Sequence, residues 1–272
     1  MKVEEVKQIT NKALEELVAA LESGHSETLT AYLRAMSLFS KYSWNNLFLI
    51  SRQGPDAHRI AGYQTWRKLG RFVRKGEKGI AIIAPVVRRN SDEQAVAPAE
   101  KERVLAGFKV AHVFSEEQTE GDPLPELGSV AGDPSGYFER LVSFVSARGI
   151  ALDYSDEIAP AKGMATRGQI TLLPGQTPGE LLATLEHETA HALMHFSERR
   201  TETTKRIRET EAEAVAFVVS NAIGLETGTC SADYIGLYSG DAKLLTESLQ
   251  YVQQTANRIL TAITPDNSAT PA

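Results

Sequence analysis

Cysteine is almost absent from this sequence of 272 residues, which contains only Cys230. A single cysteine excludes a disulfide framework, and it also excludes a zinc site built from several thiolates. Such low cysteine usage is typical of proteins in a reducing compartment. We therefore expect a cytoplasmic protein in which any metal site uses histidine and carboxylate side chains.

Long apolar runs are also missing. No segment approaches the roughly 20 consecutive apolar residues that a membrane-spanning helix requires. Residues 1–17 have the pattern of an amphipathic helix with acidic residues throughout, which differs from a secretory signal peptide. We therefore expect the chain to have no membrane partner.

The net charge of −6 is distributed very unevenly along the chain. Residues 1–90 contain 15 Lys and Arg against 8 Asp and Glu, which gives about +7, while the remainder carries about −13. An asymmetry of this kind indicates that the basic segment binds nucleic acid or another anionic surface.

Cationic and aromatic residues occur together in the most basic part of this segment. Cationic groups can follow a phosphate backbone while exposed aromatic rings stack on unpaired bases, so we predict single-stranded DNA binding. No base-reading module is recognisable, so specific recognition of duplex DNA is not expected. In the alternative interpretation, Trp66 and Phe72 belong to the core and contact no DNA. The residues predicted to contact DNA are Arg59, Tyr63, Trp66, Arg67, Lys68, Arg71, Arg74, Lys75 and Lys78.

The motif H-E-x-x-H occurs once, at residues 187–191. Residues 177–180 have the form of a capping box, and apolar residues at helical spacing follow them, so the motif is predicted to lie on a helix. His187 and His191 are then one turn apart on the same face and can bind one zinc ion. Glu188 projects beside the ion, where it can take a proton from a bound water molecule, and is the predicted catalytic residue.

A zinc peptidase site requires a third protein ligand, and the predicted helix at residues 208–225 offers three glutamates. Helical periodicity places Glu211 on the apolar stripe and directs Glu209 and Glu213 towards a polar side, so Glu211 is the predicted third ligand. His195 extends the histidine face, but it lies about 12 Å along the axis from His187, too far to bind the same ion. We expect His195 to lie near the site without binding the metal.

Helices, strands and breaks in composition divide the chain into two predicted domains at residues 1–125 and 136–264, joined by a linker at 126–135 and followed by a disordered tail at 265–272. The first domain is predicted to contain helices at 2–22, 26–40, 44–53 and 63–69 and strands at 80–87 and 108–114, with a loop at 91–103 between the strands. The second is predicted to contain helices at 136–147, 181–196, 208–225 and 244–263 and one strand at 165–173.

Short motifs in the first domain resemble the N-terminal domain of ArdC-type antirestriction proteins. They occur in order at residues 42–46 (YSWNN), 62–66 (GYQTW), 73–80 (VRKGEKGI) and 118–121 (QTEG). The resemblance covers about residues 1–125 and implies a domain that binds single-stranded DNA.

The second domain resembles the zinc-peptidase domain of the ImmA/IrrE group through its H-E-x-x-H motif. Residues 211–218 also match the E-x-x-A-x-x-F-A pattern of that group, with Val218 in place of the last alanine. This match implies Glu211 as a ligand. Together the resemblances imply an α+β protein, with a helix-rich N-terminal domain that contains a small antiparallel sheet, linked to a zincin-like metallopeptidase domain.

Two functions of different classes fit the sequence. In the first, the chain is an antirestriction protein of a mobile element that binds single-stranded DNA and carries a zinc metallopeptidase site. In the second, it is a regulatory zinc protease that cleaves a repressor or a restriction component, and DNA binding only recruits it. A zinc ion kept only for folding would not need Glu188. The expected partners are single-stranded DNA and a protein substrate.

Overall fold

The computed structural model describes residues 3–25, 27–89, 103–123, 134–225 and 240–264. Most of the predicted loop at 91–103 and linker at 126–135, all of the tail at 265–272, and Cys230 lie outside these residues. The described residues form a mixed helix and sheet structure, which confirms the predicted α+β class at that level.

The eight predicted helices are present in the described residues, whereas one short helix and four short strands were not predicted. The helices are α1 (Val3–Glu22), α2 (Glu27–Leu38), α3 (Trp44–Gln53), α4 (Tyr63–Lys68), α5 (Pro134–Ser146), α6 (Pro178–Met194), α7 (Arg199–Glu202), α8 (Lys205–Ala222) and α9 (Ala242–Ile263). The strands are β1 (Ile60–Gly62), β2 (Arg71–Val73), β3 (Ile80–Arg89), β4 (Arg103–Ser115), β5 (Thr119–Gly121), β6 (Ala151–Tyr154), β7 (Gly163–Thr166) and β8 (Gln169–Leu172).

The chain divides into two compact units. The first contains residues 1–15 and 48–123, and the second contains residues 16–47 and 124–272. Residues 16–47 lie inside the predicted N-terminal domain, but they are grouped with the second unit because the buried face of α2, with Leu29, Leu33 and Met36, packs against α8.

The first unit is built on the antiparallel hairpin of β3 and β4, which β1 extends into a sheet of order β1-β4-β3. Val6 of α1 and Leu49 of α3 pack against Ala81 of β3 in the core of this unit. A second antiparallel pair joins β2 to β5. The predicted strands at 80–87 and 108–114 are confirmed as β3 and β4, the two strands of this hairpin.

The second unit combines helices with a sheet of order β6-β8-β7, in which β6 and β8 are parallel and β7 is antiparallel to β8. The single strand predicted at 165–173 is wrong. A turn at Arg167 and Gly168 divides this segment into β7 and β8, and Gly168 adopts a positive φ of 83° that favours glycine. Helix α6 packs against both strands and against α8.

The predicted start of α6 is confirmed in detail. The Thr177 hydroxyl accepts a hydrogen bond from the Glu180 backbone, and the Glu180 carboxylate accepts one from the Thr177 backbone N–H at 3.0 Å. This reciprocal arrangement satisfies backbone donors that would otherwise lack partners at the helix end. Among the described residues, no helix is long and apolar enough to cross a membrane.

Candidate functional site

Two imidazole rings of α6 converge in the second unit, and His187 of this pair lines a cleft. His187 and His191 lie one helical turn apart, and their Nε2 atoms are separated by 3.1 Å. The cleft has a volume of about 730 Å³ and is bordered by α6, by α8 and by Gly163 at the start of β7. His187 is therefore accessible to a ligand larger than water.

Glu209 of α8 completes a group of three donors. Its Oε2 atom lies 3.4 Å from His191 Nε2 and 3.7 Å from His187 Nε2. Bonds of about 2.0–2.2 Å to a tetrahedral zinc ion would place neighbouring donors about 3.3–3.6 Å apart. The observed separations of 3.1, 3.4 and 3.7 Å are close to this range. Within the described part of the chain, the two imidazoles and the carboxylate are the group of His and acidic residues that could hold a metal.

Glu211, the predicted third ligand, does not lie with this group. Its buried carboxylate contacts His195 Nε2 at 2.9 Å and the Arg199 guanidinium. The prediction placed the ligand on the apolar stripe of α8, but that stripe faces the packed interior, where Arg199 supplies the compensating charge. The open cleft lies on the face that carries Glu209, whose side chain is 51% exposed.

A spacing signal could have identified the face of α8 that lines the cleft. Glu209 and Glu213 are four residues apart, as are His187 and His191, so each helix presents a pair one turn apart. Glu213 Oε2 lies 3.5 Å from His187 Nδ1, the ring nitrogen that does not face the three-donor group. Contacts of this kind fix the orientation of a ligating histidine.

The surroundings of the two histidines shift their pKa values in opposite directions. Burial lowers the pKa of His187, but the carboxylates of Glu209 and Glu213 outweigh it and raise the pKa to about 9. Burial and the nearby rings of His187 and His195 lower the pKa of His191 to about 4. The hydrogen bond with His187 lowers the pKa of Glu209 to about 2. A metal ion held by the Nε2 atom of His187 would require the ring to release a proton first.

Glu188 lines the same cleft and is 6% exposed. Burial raises the pKa of its carboxyl group, although His187 and a hydrogen bond with the backbone of Ala165 in β7 act in the opposite direction. β7 approaches so closely that a Cβ atom on Gly163 would lie 2.8 Å from Glu188 Oε1. The absence of a side chain at position 163 thus makes room for the carboxyl group.

His195 follows the last turn of α6 and is 1% exposed. Its Nδ1 atom lies 2.9 Å from His191 Nδ1, on the side of the His191 ring away from Glu209. As expected from the helical spacing, His195 lies beside the site and outside the three-donor group.

In the first unit, the aromatic residues near the predicted DNA contacts differ in exposure. Trp66 is 2% exposed, and its Nε1–H donates a hydrogen bond to the Phe114 carbonyl at 2.9 Å. The prediction that Trp66 contacts DNA is therefore wrong, because the ring is enclosed by the core. Tyr63 is 47% exposed and Phe72 is 51% exposed, so these two rings are accessible to bases.

Three of the predicted cationic contacts pair with neighbouring groups of the first unit. Arg71 donates hydrogen bonds to Thr119 Oγ1 at 2.8 Å and to the Asp122 carbonyl at 2.6 Å. The other two are Arg74, which pairs with Glu77 at 3.1 Å, and Arg59, which pairs with Glu116 at 3.5 Å. The remaining predicted cations, all with exposed side chains, are Arg67, Lys68, Lys75 and Lys78.

Residues 4–114 match the sequence profile of a family described as the N-terminal domain of the anti-restriction factor ArdC. An uncharacterized protein of Bacillus anthracis is 24% identical over an alignment that covers 96% of this chain and 51% of that protein. The chain therefore spans about half the length of this relative.

Two crystal structures of the antirestriction ArdC protein from the R388 plasmid share the fold. The metal-free structure is 20% identical, has a TM-score of 0.54, and the match covers 93% of this chain and 97% of that protein. The Mn(II)-bound structure is 19% identical, has a TM-score of 0.55, and the match covers 95% and 99% of the two chains.

Proposed function

We propose that this chain is an antirestriction-type protein of a mobile element that binds single-stranded DNA through its first unit and carries a zinc-dependent peptidase site in its second. The observation that carries the peptidase assignment is the spacing of the three donors His187, His191 and Glu209. Glu188, beside these donors on α6, is the proposed general base.

The chemistry of the donor set supports zinc. Imidazole nitrogens suit zinc, whereas sites for magnesium and calcium are built from oxygen atoms. Two imidazoles with one carboxylate also accommodate manganese, the ion named for one R388 ArdC structure. A zinc ion bound by these residues would polarise a substrate carbonyl and lower the pKa of a bound water molecule.

The side chains around the donors have separate roles in peptide hydrolysis. Glu188 accepts a proton from the attacking water and passes it to the leaving amine. Strand β7 lies at the edge of its sheet and borders the cleft, so an extended peptide can pair with it and reach the donors. We propose a protein segment in extended conformation as the substrate.

Elemental analysis of purified variants tests the metal assignment. The wild-type chain should contain about one equivalent of zinc, and Glu209→Gln and His187→Ala should lose it. Glu188→Ala should retain zinc and lose peptidase activity, because it removes a base and leaves the ligands in place. Glu202→Gln, at an exposed position, is the matched control. Full zinc retention in Glu209→Gln would show that the third ligand lies elsewhere.

Two observations support single-stranded DNA binding. Residues 4–114 match the ArdC N-terminal domain profile. The rings of Tyr63 and Phe72 are exposed, and exposed cations lie near them in the sequence. Fluorescence anisotropy with the full chain should show tighter binding to single-stranded than to duplex oligonucleotides. Arg67→Ala/Lys68→Ala/Lys75→Ala should weaken binding, while Lys7→Ala/Lys12→Ala/Lys243→Ala, which removes three other exposed lysines, should bind as the wild type does. Equal binding of both DNA forms would contradict the proposal.

A transfer assay separates antirestriction from regulatory proteolysis. A plasmid that carries the wild-type gene should enter a restricting host more efficiently than one without it. If DNA shielding suffices, the Glu188→Ala variant should protect equally well. Loss of protection in that variant would favour the alternative, a regulatory protease that cleaves a repressor or restriction component.

A further inference from the structure

We propose that His195, Glu211 and Arg199 form a buried relay that orients His191 and fixes a proton on its Nδ1 atom, so that its Nε2 atom is free to bind the metal. The proposal rests on the metal site proposed above. All three are positioning residues, because they act through His191 and do not touch the ion.

The contacts of the buried relay are continuous. His191 Nδ1 lies 2.9 Å from His195 Nδ1, and His195 Nε2 lies 2.9 Å from Glu211 Oε2. Arg199 then donates hydrogen bonds to both carboxylate oxygens of Glu211. The path thus runs from the metal-binding histidine to a permanent positive charge without a break.

The position of each proton follows from the last member. The guanidinium of Arg199 contains only donor groups and remains charged. Glu211 beside it is therefore an ionised carboxylate, which can only accept hydrogen bonds. In the proposed relay His195 therefore donates from Nε2 and accepts on Nδ1, because Arg199 already compensates the charge of Glu211 and no second positive charge is needed there. His191 must then donate from Nδ1, which leaves the lone pair of Nε2 facing Glu209 and His187.

The reverse arrangement would prevent metal binding. If His195 donated from Nδ1, His191 would accept on Nδ1 and carry its proton on Nε2, inside the three-donor group. The neighbour at His195 Nε2 decides between these arrangements, because a carboxylate can accept a proton and cannot supply one. Glu211 therefore selects the tautomer of a histidine that it does not touch.

Burial of the relay strengthens the preference for this His191 tautomer. His195 is 1% exposed and Glu211 is 0% exposed, so water does not compete for their hydrogen bonds. Arg199 is held by the Ser248 hydroxyl at 3.0 Å and by the ring of Tyr251, whose centre lies 4.2 Å from the guanidinium carbon. A buried ion pair alone is weak evidence of a stabilising role. Its connection to a metal-binding histidine gives the pair a positional role.

Cobalt binding to the full chain tests the buried relay. His195→Leu removes the acceptor for His191 Nδ1, and we expect the Kd for Co²⁺ to rise about 10- to 100-fold, the range found when such supporting contacts are removed. His195→Asn can place an amide oxygen near the position of Nδ1 and should recover much of the affinity. The visible absorption of bound Co²⁺ should shift in His195→Leu and return towards the wild-type spectrum in His195→Asn. His58→Asn, at an exposed histidine, is the matched control.

A measurement on the wild-type chain does not depend on the folding of any variant. Nitrogen–proton NMR correlations of the Zn²⁺-loaded protein should place the proton of His195 on Nε2 and that of His191 on Nδ1. A proton on His195 Nδ1 would overturn the relay, as would wild-type Co²⁺ affinity and spectrum in His195→Leu. A wild-type chain that binds neither ion would instead overturn the proposed metal site, and the relay with it.

Discussion

Glu186 and Glu188 flank His187 on α6, but their surroundings differ. Glu188 lines the cleft, whereas Glu186 is fully buried and accepts a hydrogen bond from the Ser220 hydroxyl of α8. Burial raises the pKa of Glu186 to about 8, although the bond from Ser220 acts in the opposite direction. At neutral pH the carboxyl group of Glu186 is therefore mostly protonated in the folded chain.

This protonation makes stability depend on pH. The folded-state pKa of Glu186 exceeds the unfolded value, so its contribution to stability is complete below about pH 4.5 and is lost as the pH rises towards 8. Within that window the loss is at most about 1.4 kcal/mol per pH unit. Glu186→Gln cannot ionise, and its free energy of unfolding should fall less than that of the wild type between pH 5.5 and 8.

Urea unfolding at both pH values, with a chelator present to remove metal, measures this difference. Glu198→Gln, at an exposed position, should follow the wild-type pH dependence and is the control. The same pH dependence in Glu186→Gln and the wild type would show that Glu186 ionises normally in the folded state.

At the scale of secondary structure, the approach of β7 to α6 determines the shape of the site. A Cβ atom on Gly163 would lie 2.6 Å from Thr184 Cγ2 and 2.8 Å from Glu188 Oε1, both on α6. Contacts this short would require the strand or the Glu188 side chain to move. One close contact therefore fixes the position of Glu188, the proposed general base, relative to β7.

Gly163→Ala should consequently affect both stability and activity. Overpacking of this kind costs about 1–3 kcal/mol of folding free energy. Displacement of Glu188 should reduce peptidase activity while the metal content stays at the wild-type level. Gly136→Ala in α5, where an added Cβ meets no atom within 4 Å, is the matched control. It should leave activity unchanged and should not lower stability, because alanine is the better helix former. Wild-type stability and activity in Gly163→Ala would refute the close approach.

At the scale of the whole molecule, charge is segregated along the chain. Residues 1–90 carry about +7 and the remainder about −13. Arg59, Arg71 and Arg74 are engaged within the first unit, so the proposed DNA contacts shift to the exposed cations and to the rings of Tyr63 and Phe72. DNA binding should therefore depend on fewer side chains than the cationic composition indicates.

The salt dependence of DNA affinity measures the number of phosphate contacts. For single strands, the logarithm of affinity falls by about 0.7 per logarithm of salt concentration for each phosphate contacted. Arg67→Ala/Lys68→Ala/Lys75→Ala should therefore flatten the slope by about 2, measured by fluorescence anisotropy over a salt series with the full chain. The Lys7→Ala/Lys12→Ala/Lys243→Ala control should keep the wild-type slope. An unchanged slope in the first variant would place the phosphate contacts elsewhere.

Local features of this protein could be predicted from the sequence because they depend on residues close together in the chain. The capping box at Thr177 and Glu180, the turn-by-turn spacing of His187 and His191, and the two long strands of the hairpin all follow from short-range periodicity and hydrogen bonding. The excess of positive charge in residues 1–90 is likewise a property of composition alone.

Only the tertiary structure decided which side chains meet across elements. Amphipathicity located the packed face of α8, but it could not show that Arg199 neutralises Glu211 there or that Glu209 faces the cleft. Nor could composition show that Trp66 is enclosed while Phe72 is exposed. The physical reason is the same in each case: a side chain's periodicity gives its direction from its own helix or strand, and its chemistry depends on the neighbour that packing places opposite it.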